Sequence, residues 1–433
     1  TEMGSLPTLS PTQVPTNHFT EEPSSMPTSS PTEEPTEAPT NTPTDIPRLG
    51  NTNSICASAK ITSAEGSRYH HFGESVDVSG GTAVVGEPRD KRDGCESGSA
   101  YIFERLELGL GAEWIQRSKL VADDGSCLDG FGKSVAISGD SVIVSAVGDD
   151  DRGNHSGGAY VFTRVGTEWV QEAKLVPSDG EEEEWFGNSV AISGDLAVVG
   201  AFRDDDSGLW SGSAYVFRRE GLTWKEEAKL LPIDGASRHY FGTSVSISGD
   251  TILVGAHGHD DSRGAAYIFV HDGGSWTLQA RLLPKIRTER SEFGRSVAIE
   301  GDVAIVSAFG DSEGRGAGVN VFARIGGVWM EQAKLLPDDA EAAGPGRFGH
   351  SIDLSEGGVV VIGALPPHAV FGSSSAYVFQ RTGMTWTQRA KLLSNDGDGF
   401  DMFGASVSVD GDFVFVGSHG DRTWSGSVYA FDL

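Results

Sequence analysis

The sequence predicts an all-β fold: a seven-bladed β-propeller of four-stranded antiparallel blades, closed by its N-terminal segment and preceded by a disordered Pro/Thr-rich tail. Three observations predict it. A Phe-Gly pair opens each of seven copies of one phrase, at Phe72, Phe131, Phe186, Phe241, Phe293, Phe348 and Phe403, and successive copies lie 52 to 59 residues apart. A period of this size marks a repeat architecture. Each copy divides into four strand-like runs, and the single run missing from the last copy has a counterpart upstream of the first.

The copy that begins at Phe186 shows the pattern most clearly. Ser189–Ser193 is a short apolar run, and Gly194-Asp195 is a two-residue hairpin signal. Leu196–Ala201 is a second buried run. A loop follows with Asp204, Asp205 and Asp206 in succession, then an aromatic third strand, Ser213–Arg218. Thr223–Leu230 alternates Trp224 with charged residues, as a half-exposed outer strand does. The third strand recurs up to Phe431, but the fourth-strand Trp appears only six times, at Trp114, Trp169, Trp224, Trp276, Trp329 and Trp386. Ala57–Ile61 echoes the Ala-Lys-Leu ending of the other fourth strands, so it is expected to supply the outer strand of the last blade and close the ring.

Two domains follow: residues 1–50, a stalk or linker, and residues 51–433, the propeller. Between residues 7 and 47 proline stands at almost every fourth position, usually followed by Thr. That spacing forbids regular helix and leaves too few apolar side chains to offset ordering, so an extended spacer is expected, suited to O-glycosylation. The 62 acidic and 33 basic residues give a net charge of −29, which argues against nucleic acid and anionic membrane surfaces as partners. No run of 18 apolar residues is present, so membrane insertion within this chain is not expected. The chain opens at Thr1, and a processed form or a fragment is the expectation, with any signal peptide out of view.

With strand one innermost, the loops joining strands two to three and four to one emerge on one face. Both sets are acidic. Calcium takes six to eight oxygen ligands and favours carboxylates on glycine-kinked loops. The candidate ligands are Asp396, Asp398 and Asp401, then Asp149 with Asp151 and Asp204 with Asp206. The alternative is that these are solvated turn residues. His257 and His259, with His239, form a weaker metal-ligand pattern. Trp185, Trp210 and Trp424 fall outside the repeat, and Trp210 and Trp424 hold matching loop positions, where they would bind ligand or cover the ends of their blades. Cys95 and Cys127 fall on the same face and are candidates for a disulfide, leaving Cys56 over. Asn154 begins a glycosylation sequon. No catalytic motif is found, so no enzyme is expected.

The recurring Phe-Gly, the Val-Gly-Ala of strand two (Val199-Gly200-Ala201, Val254-Gly255-Ala256) and the aromatic third strand resemble the FG-GAP repeat family, the propeller module of integrin α-subunits. The resemblance spans roughly residues 55–433. It implies an extracellular or cell-surface propeller for recognition or adhesion, often calcium-bound, with a protein or glycan ligand. The family's calcium loop lies between strands one and two, where this chain has only a tight Ser-Gly-Asp turn, so those ligands do not carry over. The Pro-Thr stretch is similar to stalks of diatom surface proteins. The competing readings are a wall-polysaccharide lectin, a structural component of an extracellular assembly, and a secreted hydrolase or lyase.

Overall fold

The computed structural model describes residues 54–92, 95–108, 111–310, 317–339, 347–366, 374–394, 396–397 and 401–433; the Pro/Thr-rich stretch 1–50 and Asp398 lie outside them. Seven antiparallel sheets repeat one plan. In the third blade, Phe186–Ser193, Leu196–Ala201, Ser213–Glu220 and Thr223–Leu230 pair in chain order from the centre outward. The second strand is buried at every residue, because it is covered by blades on both faces. The outer strand alternates between exposed and half-buried positions, as its Trp-and-charge pattern requires. The inner strands of all seven blades line a central channel of about 640 Å³.

The ring closes as the sequence indicates. Ala59–Ile61 pairs antiparallel with Ser427–Asp432 and supplies the outer strand of the seventh blade. One strand was not foreseen: Ser54–Cys56 adds in parallel to Thr385–Leu393, as a fifth strand of the sixth blade. The outer strand of each blade presents an open edge that accepts such pairing. Here it is covered by chain on its way to the neighbouring blade, with Ile55 and Ala57 packed on the same core.

The signature residues meet between blades. The Phe241 amide donates to the Ser211 carbonyl at 2.9 Å, and Phe241 bridges Gly212 of the preceding blade. A Cβ on Gly212 would lie 2.0 Å from the Phe241 carbonyl oxygen, and one on Gly200 would lie 2.0 Å from that of Gly242. No side chain fits either place. The same contacts join Phe72 to Gly426, which seals the last blade to the first. The Phe241 ring is fully buried with Val198 and Ala214 of one blade and Val245 of the next, edge-on to Tyr267 and Phe269. Outer-strand tryptophans also reach across: Trp329 Nε1 donates to Gln279 Oε1 at 2.7 Å, and Trp114 packs edge-on to Phe415.

Around the channel, side chains of one inner strand bond the amides of the next. Ser246 Oγ accepts from the Ile299 amide, Asp77 from Ile137 and Asp353 from Val409. Ser408 Oγ donates to both Asp77 and Asp353. Burial and the nearby Asp353 push the Asp77 carboxyl up from the ordinary range. These channel carboxylates are engaged in joining blades.

Phe241→Ala should cost about 3–5 kcal/mol, as a large buried ring lost from a packed core. Chemical denaturation of the full chain measures this, and a loss below about 1 kcal/mol would show that the ring does not bind the blades together.

Candidate functional site

The loops between strands two and three of one blade pair with the loop leading into the next. The Glu183 amide donates to the Asn154 carbonyl, that of Tyr240 to Trp210, and that of His71 to Trp424. One face of the ring is therefore a belt of interlocked loops, and the candidate residues lie on it.

The acidic residues of this belt differ in exposure: Asp151, Asp206 and Asp396 are exposed, while one carboxylate in each of their clusters is buried. Asp149 and Asp204 are buried, and a lysine from the outer strand reaches each cluster. Lys174 Nζ lies 2.8 Å from Asp124, 2.7 Å from Asp149 and 2.5 Å from Asp151. Lys229 lies 2.8 Å from Asp179, 2.8 Å from Asp204 and 2.7 Å from Asp206. Lys60 sits 2.6 Å from both Asp396 and Asp421, and Lys391 sits 2.6 Å from Asp339. In the fourth blade Arg281 takes this place and pairs with Asp234. A third-strand tyrosine completes each cluster: Tyr160 donates to Asp124 and Asp149, Tyr215 to Asp179 and Asp204, Tyr429 to Asp396.

Burial works against the Lys229 ammonium, but hydrogen bonds to Asp179, Asp204 and Asp206 outweigh it and hold its pKa above that of free lysine. Burial dominates for the Tyr215 phenol, and with the Asp204 charge it raises that group. These clusters thus hold a fixed internal cation, hydrogen-bonded on several sides. Of the six calcium candidates within the described residues, five contact a lysine: Asp149, Asp151, Asp204, Asp206 and Asp396. Asp401 is buried, and its carbonyl accepts from Ser418 and Gly420. The lysine was visible in the sequence as the repeated Ala-Lys-Leu ending. Its role as counter-ion was not, because that ending lies 50 residues from one partner and 23 from the other, as for Lys174 with Asp124 and Asp151.

The remaining candidates separate. Cys95 and Cys127 are joined in a disulfide, with Cα atoms 5.3 Å apart, and Cys56 is free and exposed. Asn154 is exposed, and its amide donates to Glu183 at 2.6 Å. His239 and His259 meet with ring centroids 4.7 Å apart, whereas His257 turns away to stack on Tyr240. Trp424 stacks on His71 beside His419 in the seventh blade. Trp210 lies in the third blade, and the structure does not bring the two tryptophans into one cleft.

Trp210 instead lines a cavity of about 350 Å³ with Phe202, Arg203, Tyr240, His257 and Arg295. Arg203 lies over the Trp185 and Trp210 rings, at 4.2 and 5.4 Å from their centroids, and 3.5 Å from Glu183. Tyr240 stacks on His257 at 4.9 Å, the two rings nearly parallel. Burial and the Arg295 charge lower the His257 pKa to about 3, so this ring is neutral. A second cavity, about 820 Å³, opens beside Tyr240 and carries Arg238, Arg263 and Arg290 together with Asp260, Asp261 and Glu289, of which Asp260 and Glu289 pair with Arg263. The sequence singled out Trp185 and Trp210, but nothing in it placed the arginines beside them.

A seven-bladed propeller of this repeat defines the class, and comparison with known families gives its membership. The FG-GAP repeat matches seven times, at residues 57–103, 114–162, 169–217, 224–269, 276–320, 329–379 and 386–431. The chain belongs to the FG-GAP repeat family. No curated protein matches the sequence. Among solved structures, the crystal structure of Saccharomyces cerevisiae Sqt1 is similar with a TM-score of 0.45 and 10% identity, covering 88% of this chain and 86% of that one. No helix among the described residues is long and apolar enough to cross a membrane.

Two outcomes test the belt. Lys229→Met should destabilise the protein by about 3–5 kcal/mol, since it leaves buried Asp204 without its cation; an unchanged denaturation midpoint would refute the pairing. Burial, with Asp204 nearby, raises the Glu184 carboxyl from 4.5 to about 7. The folded state then binds this proton more tightly than the unfolded chain, so its contribution is full below about pH 4.5 and is lost as pH rises to about 7. Glu184→Gln should flatten that decline when denaturation midpoints are compared between pH 5 and pH 7.5, and an identical slope in both proteins would refute it.

Proposed function

We propose that this chain is an extracellular recognition propeller that binds an acidic glycan in the aromatic and arginine-lined cleft of its third and fourth blades. One observation carries the reading. In a chain of net charge −29, Arg203, Arg238 and Arg295 gather around Trp210, Tyr240 and His257 on a single stretch of the loop face. Sugar rings stack on aromatic side chains, and a carboxylate or sulfate on the sugar suits a guanidinium. A neutral His257 adds a hydrogen-bonding group without adding charge. Membership of the FG-GAP family and the Cys95–Cys127 disulfide support an oxidising, extracellular setting.

The acidic clusters have a structural role in this reading. Calcium at Asp149 and Asp151, or at Asp204 and Asp206, would have to displace Lys174 or Lys229 from its carboxylates. The melting temperature of EDTA-treated protein is therefore expected to stay the same on adding millimolar calcium. A rise by mass action would restore calcium to the function.

A glycan array of neutral, uronate and sulfated oligosaccharides, probed with the full chain, tests the ligand class. Retention is expected on the anionic glycans, weakening with salt. Trp210→Ala and Arg203→Ala should each reduce it at least about tenfold, the cost of a well-placed contact of 1.4 kcal/mol, while Trp424→Ala leaves it intact. Retention that ignores both cleft substitutions, or none on any glycan, would refute the assignment.

A further inference from the structure

The first blade breaks the pattern of the belt in one place. The second-strand residue that pairs with the first residue of the third strand is alanine in five blades and Ser418 in the seventh, but Glu87 in the first. The register is the same: Glu87 pairs with Ser99 as Ala201 pairs with Ser213. A carboxylate therefore stands where the other blades carry a small side chain, and it is fully buried.

Its surroundings do not neutralise it as the sister clusters are neutralised. His70 Nδ1 is buried with no hydrogen-bond partner, and the Glu87 carboxylate has only loose contacts with the Tyr101 and Ser63 hydroxyls in place of a hydrogen bond of good geometry. In the third blade the equivalent Ser213 and Tyr215 both donate to Asp204. Buried polar groups are rarely left in this condition, and each orphan costs free energy. Here several buried polar groups gather at one point. His70, Glu87 and Asp90 are all buried and offer ligand atoms within 4.8 Å of one another. His70 Nδ1 lies 3.3 Å from Asp90 Oδ1 and 3.6 Å from Glu87 Oε1. Lys119 holds the other Asp90 oxygen, Oδ2, at 2.8 Å, so Oδ1 is the one turned toward the histidine.

We propose that His70, Glu87 and Asp90 form a binding site for one divalent transition metal ion of the zinc type. One imidazole nitrogen with two carboxylate oxygens is a donor set that suits zinc, with three protein ligands and a fourth position for water. The ion would take up the unpartnered His70 Nδ1 together with the buried Glu87 carboxylate. Lys119 on the far oxygen of Asp90 would orient that ligand from outside the coordination shell. The site lies in the first blade and does not depend on the glycan reading of the third and fourth.

The test is a calorimetric titration of zinc chloride into the EDTA-treated, dialysed full chain, paired with thermal melts. Glu87→Ala is the decisive variant, because alanine occupies the equivalent place in five blades and should fold there. Wild type is expected to bind zinc and melt at a higher temperature with it. Glu87→Ala should weaken that binding by about 100-fold or more, since even outer-shell partners of a metal are worth 10–100-fold. It should keep or raise the metal-free melting temperature. His259→Ala, in the fourth blade, should bind as wild type does. Absence of zinc binding in wild type, or Glu87→Ala binding as tightly as wild type, would overturn the proposal. Glu87-dependent binding that selects calcium over zinc would overturn the assignment of the metal.

Discussion

The propeller depends on how closely the backbone of one blade approaches the next. At five of the seven junctions the Phe-Gly glycine meets the strand-two glycine of the preceding blade with no room for a side chain: a Cβ on Gly255 would stand 1.9 Å from the Gly294 carbonyl oxygen. Gly294 itself adopts φ +92°, which favours glycine on its own account. In the second and fifth blades Ser145 and Ser307 replace the strand-two glycine, and their Cβ atoms lie 2.9 Å from where a Cβ on Gly187 or Gly349 would stand. The facing glycine is needed there as well. Everything else follows from this spacing, including the buried aromatic rings and the channel joined by side chains.

Close blades bring the loops of one face together, and with them a dense set of carboxylates. The outer-strand lysine makes that density tolerable. An ammonium within hydrogen-bonding distance of two or three carboxylates offsets their mutual repulsion, and the tyrosine below it takes up remaining acceptor capacity. The net charge of −29 therefore overstates the negative field of this face, since some of its acidic groups are already paired. Between the third and fourth blades arginine and aromatic residues stand beside this pattern, and the proposed anionic ligand would meet them there. Where a glutamate replaces alanine, in the first blade, the internal neutralisation is incomplete and a metal ion fits.

The architecture was legible because it is written seven times. Phe72 to Phe403 mark the period, and the echo of Ala-Lys-Leu in Ala59–Ile61 marks the closure. Ser54–Cys56 escaped notice because three residues pairing in parallel with a distant strand leave no local pattern. The functional residues were less legible, for the same reason in each case. Asp149 and Asp204 are conspicuous in sequence, but whether they face solvent, calcium or lysine depends on a strand that arrives from far along the chain. Glu87 sits in a run that resembles its neighbours, and only the folded ring reveals that it is buried beside His70 and Asp90.

The close approach itself is tested most directly at Gly255. Its φ is ordinary, unlike that of Gly294, so Gly255→Ala isolates the contact from any backbone strain. At a strand position with space, such a change stabilises a protein by about 0.4–1 kcal/mol. Here the added methyl group meets the Gly294 carbonyl, and overpacking of that kind costs about 1–3 kcal/mol or more. Chemical denaturation of the two full-length proteins should show that loss. Equal or greater stability in Gly255→Ala would contradict the view that glycine contacts between blades hold the ring.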